Sequence, residues 1–220
     1  MLMVNKKFLS PYSLSIGLIW LFHISGILGI IYGDARWFVE ATPINLGVSM
    51  TLLIWQEYRQ IKFLGICLLC FMVGMGAEWL GVTYGLIFGD YSYGDMLGPK
   101  FQGVPWLIGA NWVILVICTG RIAQEFTDNL WARALLATLL MVFLDVLIEP
   151  IAPVLDFWTF NGGHAPYQNY LGWALVAFPL QCTFHFSRLE LKGWFYHNLY
   201  LLQLLFFMIL LLRLNSLPNF

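Results

Sequence analysis

The sequence predicts an all-α membrane protein: a polytopic bundle of about seven transmembrane helices with the N-terminus on the cytoplasmic side. Three observations carry this. Of the 220 residues, 60% are hydrophobic and only 10% are charged, where a soluble domain carries about 25% charged residues. The apolar residues gather into seven runs near the ~20 residues needed to cross a hydrocarbon core. The basic residues then alternate between rich and poor loops, as the positive-inside rule requires. A formal net charge of −1 gives no electrostatic case for nucleic acid as a partner. The length suits one integral membrane domain over residues 1–220.

The first run, roughly 12–32, follows Lys6 and Lys7 as a signal peptide would. The charge-free stretch from Phe8 to Gly33 is too long for that, and no small-x-small cleavage site is clear, so it reads as the first span. The second, roughly 42–56, is the shortest, bracketed by Glu40 and Glu57. The third, roughly 62–86, carries Glu78 and leads into Gly81, Gly85 and Gly89, whose spacing by four predicts a smooth stripe for close helix packing. Cys67 and Cys70 form a C-x-x-C inside it, with no second pair and no nearby His; they read as small packing residues. The fourth and fifth runs, roughly 104–121 and 134–152, are followed by runs at about 169–187 and 194–213. No internal repeat, low-complexity tract or linker stands out.

The eleven Lys and Arg residues test the count. Lys6, Lys7, Arg59, Lys62, Arg121, Arg133, Arg188 and Lys192 fall on the N-terminal side; Arg36, Lys100 and Arg213 fall on the other. A wrong number of spans would scramble this division of eight to three. A cytoplasmic N-terminus and a place in the cell (inner or plasma) membrane follow as expectations.

Ionisable groups inside a bilayer are costly and face a bundle interior or a wet cavity. His23, Glu78, Asp145, Glu149 and His185 are the candidates, with Asn111 and Gln181 as neutral companions. Glu78 lies 16 residues beyond Lys62 and Glu149 lies 16 residues beyond Arg133, so both sit about 24 Å from the basic boundary at 1.5 Å per residue. Asp145 is one turn deeper, on the same face as Glu149. Three acids from two helices are therefore expected to gather in the outer third of the bundle, without basic partners. His185, close to Arg188, reads as a boundary residue, and His23 as either a satisfied core histidine or a functional one. Two outer loops, around 84–106 and 153–173, concentrate aromatic residues beside the acids, among them Tyr84, Phe88, Tyr91, Tyr93, Trp106, Phe157, Trp158, Tyr170 and Trp173. An interfacial belt accounts for some of these but not for their density.

A carboxyl group in apolar surroundings keeps its proton and can act as a general acid at neutral pH. Aromatic faces attract a cation. Together they suit protonation of an alkene and shelter of a carbocation, in a lipid-soluble polyene that arrives from the bilayer. No nucleotide loop, phosphate cradle or metal cluster is legible, so no cofactor and no metal are expected. A retinal-type pigment is excluded on chemistry, since residues 193–212 contain no lysine to form the Schiff base.

Two blocks of sequence carry a resemblance. One begins Glu78-Trp-Leu-Gly-Val-Thr-Tyr-Gly-Leu-Ile-Phe-Gly-Asp-Tyr-Ser-Tyr and continues with Leu97-Gly-Pro and Gly103-Val-Pro. The other is Leu144-Asp-Val-Leu-Ile-Glu-Pro-Ile-Ala, then Asp156-Phe-Trp and Gln168-Asn-Tyr-Leu-Gly-Trp173. Over about residues 70–175 the chain resembles the carotenoid biosynthesis membrane proteins, which include the CruF-type carotenoid 1,2-hydratases and the bisanhydrobacterioruberin hydratases. The resemblance implies a carotenoid 1,2-hydratase, adding water to the terminal double bond of an acyclic (ψ) carotenoid end group. Glu78, Asp145 and Glu149 are then the candidate catalytic acids. Trp79, Tyr84, Tyr91, Tyr93, Trp106, Asn111, Trp158, Asn169 and Trp173 are the candidate substrate-binding residues. The expected partners are the carotenoid, membrane lipid and other enzymes of the pathway. A lycopene-type cyclase using the same protonation, a non-catalytic carotenoid-binding subunit and a small proton-coupled transporter remain as alternatives.

Overall fold

The computed structural model describes residues 11–217. Among the described residues eight α-helices run in chain order: α1 (Pro11–Tyr32), α2 (Ala35–Glu40), α3 (Thr42–Glu57), α4 (Ile61–Tyr84), α5 (Trp106–Ala123), α6 (Leu130–Ile148), α7 (Tyr167–Phe186) and α8 (Phe195–Leu212). Four short strands interrupt the loops: β1 (Tyr91–Tyr93), β2 (Lys100–Phe101), β3 (Val104–Pro105) and β4 (Trp158–Phe160). The protein is an all-α polytopic membrane bundle.

All seven predicted runs are helical. Among the described residues, six segments are long and apolar enough to cross a membrane, and one of them is α2 and α3 taken together over Ala35–Glu57. Asp34 caps α2 by accepting from the Trp37 N–H at 3.2 Å. The chain breaks at Ala41 and restarts with Pro43 in the first turn of α3, where a missing N–H costs nothing. The helix outside the six is α7, twenty residues long, whose buried Asn169, Gln181 and His185 dilute its apolar character. Those groups face inward because α7 packs against α4, α5 and α6.

At the centre stands α5, packed against α3, α4, α6, α7 and α8. From Trp112 to Gly120 every residue is buried, the mark of a helix enclosed on all sides. The peripheral helices instead expose Leu14, Leu21 and Leu28 on α1, Leu68 and Met72 on α4, and Leu135 and Leu139 on α6. Exposed apolar surface on this scale suits lipid rather than water.

One end of the bundle gathers the α3–α4, α5–α6 and α7–α8 turns. The Lys62 ammonium donates to the Ser187 carbonyl, Arg121 pairs with Glu125 at 2.8 Å, and Arg133 pairs with Asp128 at 2.9 Å. Arg59, Lys62, Arg121, Arg133, Arg188 and Lys192 all lie at this basic end; Lys6 and Lys7 lie outside the described residues. Arg36 on α2 and Lys100 on β2 lie between the spans at the opposite end and Arg213 at the C-terminal end of α8, so the alternation read from the sequence is present in the helix order.

The glycine stripe is not. α4 stops at Tyr84, and Gly85, at φ 65°, closes it in the left-handed conformation with its N–H on the Gly81 carbonyl at 2.8 Å. Gly89, at φ 105°, already lies in the loop. A glycine able to adopt positive φ ends a helix more readily than it continues one. Only Gly81 stays on α4, where a Cβ would meet the Tyr91 hydroxyl at 2.8 Å. The close contacts of α4 fall elsewhere: Gly74 lies under Trp112, and Gly109 of α5 meets Phe71 and Met75. Cys67, Cys70 and Cys118 are buried free thiols, in keeping with packing residues.

Candidate active site

At the end opposite the basic turns, the last turns of α4 and α6 meet the first turns of α5 and α7. Glu78 points inward from α4 and is fully enclosed. Its Oε2 accepts from the hydroxyls of Tyr91 at 2.5 Å and Tyr93 at 2.7 Å, and its Oε1 accepts from the Trp112 indole N–H at 3.0 Å. An indole N–H can only donate. Three groups able to donate converge on this one side chain, the hydrogen bonds that a carboxylate anion accepts.

The second acidic assembly lies across the bundle interior. Asp145 lies in the last turn of α6 and Glu149, four residues on, caps its end; Asn169 of α7 stands opposite. Its amide nitrogen donates to Asp145 Oδ2 at 2.7 Å and to Glu149 Oε1 at 2.9 Å. The Trp158 indole donates to Glu149 Oε2 at 3.2 Å. Among the described residues, Asp145 Oδ1 is buried without a hydrogen-bond partner. Four carboxyl oxygens thus share three N–H donors, a shortfall that one retained proton would relieve. Glu149 lies just past the end of α6, where Pro150 and Pro153 interrupt the supply of backbone N–H groups.

The two aromatic loops close over both assemblies by pairing with each other. Strands β1 and β4 are antiparallel, with Tyr91 opposite Phe160, Ser92 opposite Thr159 and Tyr93 opposite Trp158. Asn161 donates its backbone N–H to the Asp90 carbonyl at 3.0 Å, and Gly94 donates to the Phe157 carbonyl at 3.0 Å. A side chain at Gly94 would run into Asp156, so glycine is required for the two loops to approach. Next to this cap, β2 and β3 form a hairpin turned by Gln102 and Gly103 at φ 51° and 86°, the left-handed pair that a two-residue turn demands.

Beneath the cap the rings interlock. Trp112 and Trp173 stack at 4.3 Å with planes 15° apart, and Phe88 packs against both at 6.4 and 6.3 Å. Phe88 is delivered by a strained backbone. Ile87, a β-branched residue, sits at φ 68°, and its carbonyl rests against Gly172, where any side chain would collide with it. The phenols of Tyr91 and Tyr93 are held well above the ordinary phenol range, first by burial and then by the adjacent Glu78 carboxyl. Both remain neutral hydrogen-bond donors at physiological pH.

Glu78, Glu149, Tyr91, Tyr93, Asn111, Trp158, Asn169 and Trp173 line one small cavity of about 30 Å³. This is room for two or three waters, since a water needs about 10–15 Å³ of such space. Beside it runs a larger, mostly apolar groove of about 400 Å³ between α1, α2, α3, α5 and α8. Ile108, Asn111, Ile148 and Trp158 border both spaces.

The three predicted acids are therefore brought together, Asp145 through its shared amide with Glu149. Of the predicted binding residues, Tyr91, Tyr93, Asn111, Trp158, Asn169 and Trp173 face the cavity. Trp79, Tyr84 and Trp106 do not. Trp79 and Tyr84 pack edge to face on the outer surface of α4, and Trp106 lies against Phe71 and Phe101. The residue that sequence reasoning missed is Trp112. A tryptophan midway along an apolar span looks like core, and the one available signal was its polar N–H far from any interface.

Residues 41–217 match the family model described as "Carotenoid biosynthesis protein". A bisanhydrobacterioruberin hydratase from Haloarcula japonica is 30% identical over 124 residues. That stretch is 51% of this chain and 41% of the relative, so the chain aligns with less than half the length of that protein. No solved structure gives a significant match.

Proposed function

Because this chain belongs to the carotenoid biosynthesis protein family, we propose that it is a carotenoid 1,2-hydratase, adding water across the terminal C1=C2 bond of an acyclic (ψ) carotenoid end group. The observation that carries the reading is the pairing of two unlike carboxyl assemblies on one small, aromatic-walled cavity next to an apolar groove. The hydratase name of the similar archaeal protein supports it.

The polyene lies in the groove with its end group at the border that Ile108 and Ile148 share with the cavity, facing the water held there. The Asp145–Glu149 pair, short of donors, keeps a proton and delivers it to C2. The π electrons of the C1=C2 bond form the new C–H bond, and C1 becomes a tertiary cation. Tyr93, Trp158 and Trp173 present electron-rich rings to that charge. Glu78, held as an anion by its three donors, orients a water and takes its proton as the oxygen bonds to C1. A cavity water then returns the proton from Glu78 to the pair. The sum is one water added, with no redox change.

The N-terminus is cytoplasmic in this reading, in the cell membrane, with the acidic cavity toward the outer leaflet. The test is expression in a host that accumulates an acyclic carotenoid. The product gains the mass of one water, and Glu78→Gln, Asp145→Asn and Glu149→Gln each lower its yield. A product of unchanged mass would identify a cyclase instead, the same cation being captured by an internal alkene.

A further inference from the structure

The apolar groove has a polar wall that the hydration chemistry does not use. His23 of α1, Asn45 and Ser49 of α3, and Gln203 of α8 all line it, with Asn111 of α5 at its junction with the acidic cavity. His23, Ser49 and Gln203 are only 5%, 2% and 6% exposed. Four separate helices thus send polar side chains to one place inside the membrane bundle.

Their hydrogen bonds are incomplete in one sense. Among the described residues, Gln203 Oε1 and Asn45 Oδ1 are buried with no partner. The Gln203 amide nitrogen reaches Asn111 Oδ1 at 3.4 Å, leaving its oxygen free. His23 Nδ1 lies 2.7 Å from the Ile19 carbonyl. A carbonyl only accepts, so Nδ1 carries the hydrogen and Nε2 of the neutral ring keeps a lone pair. Among the fully buried atoms of this wall, the unused capacity is acceptor capacity. Buried acceptors left bare are costly, and natural structures fill them.

We propose that this wall is a binding station for a neutral O–H donor next to the acidic cavity: a hydroxyl group that gives its one hydrogen to one of the acceptors His23 Nε2, Asn45 Oδ1 and Gln203 Oε1. The hydroxyl belongs either to the apolar chain in the groove or to a water on its way to the cavity past Asn111. A ketone or a bare hydrocarbon would leave the acceptors unmatched. The inference rests on the hydratase reading for the identity of the chain in the groove, but its first test does not require turnover.

Trp37 and Trp158 line the groove and report on its contents. The purified full-length protein in detergent micelles is titrated with geranylgeraniol, and separately with the hydrocarbon lacking the hydroxyl, by tryptophan fluorescence. The alcohol binds about tenfold more tightly, the scale of one well-made buried hydrogen bond. Gln203→Leu and Asn45→Leu each reduce that preference, leave the hydrocarbon's affinity unchanged and keep the native thermal transition. If the alcohol has no advantage but Gln203→Leu lowers kcat for pigment hydration at constant KM, the station holds water. If neither changes, the proposal is overturned. Glu78→Gln separates the two readings: it keeps the alcohol preference while hydration stops. A native protein that prefers the alcohol yet never hydrates pigment sinks the hydratase reading alone.

Discussion

Asn169→Leu perturbs the acidic pair with little change in volume. The native amide makes hydrogen bonds of 2.7 and 2.9 Å to Asp145 and Glu149, and leucine makes neither. A hydrogen bond to a charged group contributes about 1.5–3 kcal/mol. Only the part that grows as the pair loses its proton affects the rate. One bond of that strength, at ~1.4 kcal/mol per tenfold, corresponds to a loss of roughly 10- to 150-fold in kcat. The assay is initial-rate pigment conversion in isolated membranes, with thermal inactivation followed in parallel to separate folding from chemistry. KM for the carotenoid stays near native, because Asn169 sits at the acid rather than along the groove. A variant within about threefold of the native rate would refute the assignment of the pair as proton donor.

Three further outcomes follow from the same geometry. Trp112→Phe keeps a ring against Trp173 but removes the 3.0 Å indole bond to Glu78; a loss of about tenfold or more in hydration rate is expected from one hydrogen bond to an anion, and an unchanged rate speaks against Glu78 acting as the anion. The raised pKa values of Tyr91 and Tyr93 set an alkaline limit: their neutral forms stabilise the cap fully below the ordinary phenol pKa of about 10, and that contribution is lost as pH rises beyond it. Near-ultraviolet circular dichroism of the native protein should change above that pH, and the Tyr91→Phe/Tyr93→Phe double variant should lack the transition. Trp79→Phe, Tyr84→Phe and Trp106→Phe, whose rings lie outside the cavity, leave the hydration rate unchanged, measured in the same membranes.

The spans were legible because lipid imposes a simple rule on length and polarity. That rule located α7 as well, even though Asn169, Gln181 and His185 dilute its apolar pattern. The layering of the acids was legible from helix rise alone, since Glu78 and Glu149 stand at equal distances from basic residues on two helices. Three things were not. Gly85 and Gly89 have the spacing of a helical stripe, and only backbone geometry shows that Gly85 ends the helix. The β1–β4 pairing joins loops more than sixty residues apart, and such long-range register leaves no local signature in short aromatic segments. Aromatic residues are also ambiguous by nature. Tyr91 and Trp79 look alike in sequence, yet one hydrogen-bonds the acid and the other lies on the outer surface of α4.

The measurement that bears most directly on the central claim is the mass and isotopic content of the pigment formed in water enriched in heavy oxygen. The native protein should give a product heavier by one water, carrying the heavy oxygen in a tertiary alcohol. The Glu78→Gln, Asp145→Asn and Glu149→Gln variants should each make far less of it. Full-yield hydration by all three variants, or a product of unchanged mass from the native protein, would contradict acid-catalysed hydration in this cavity.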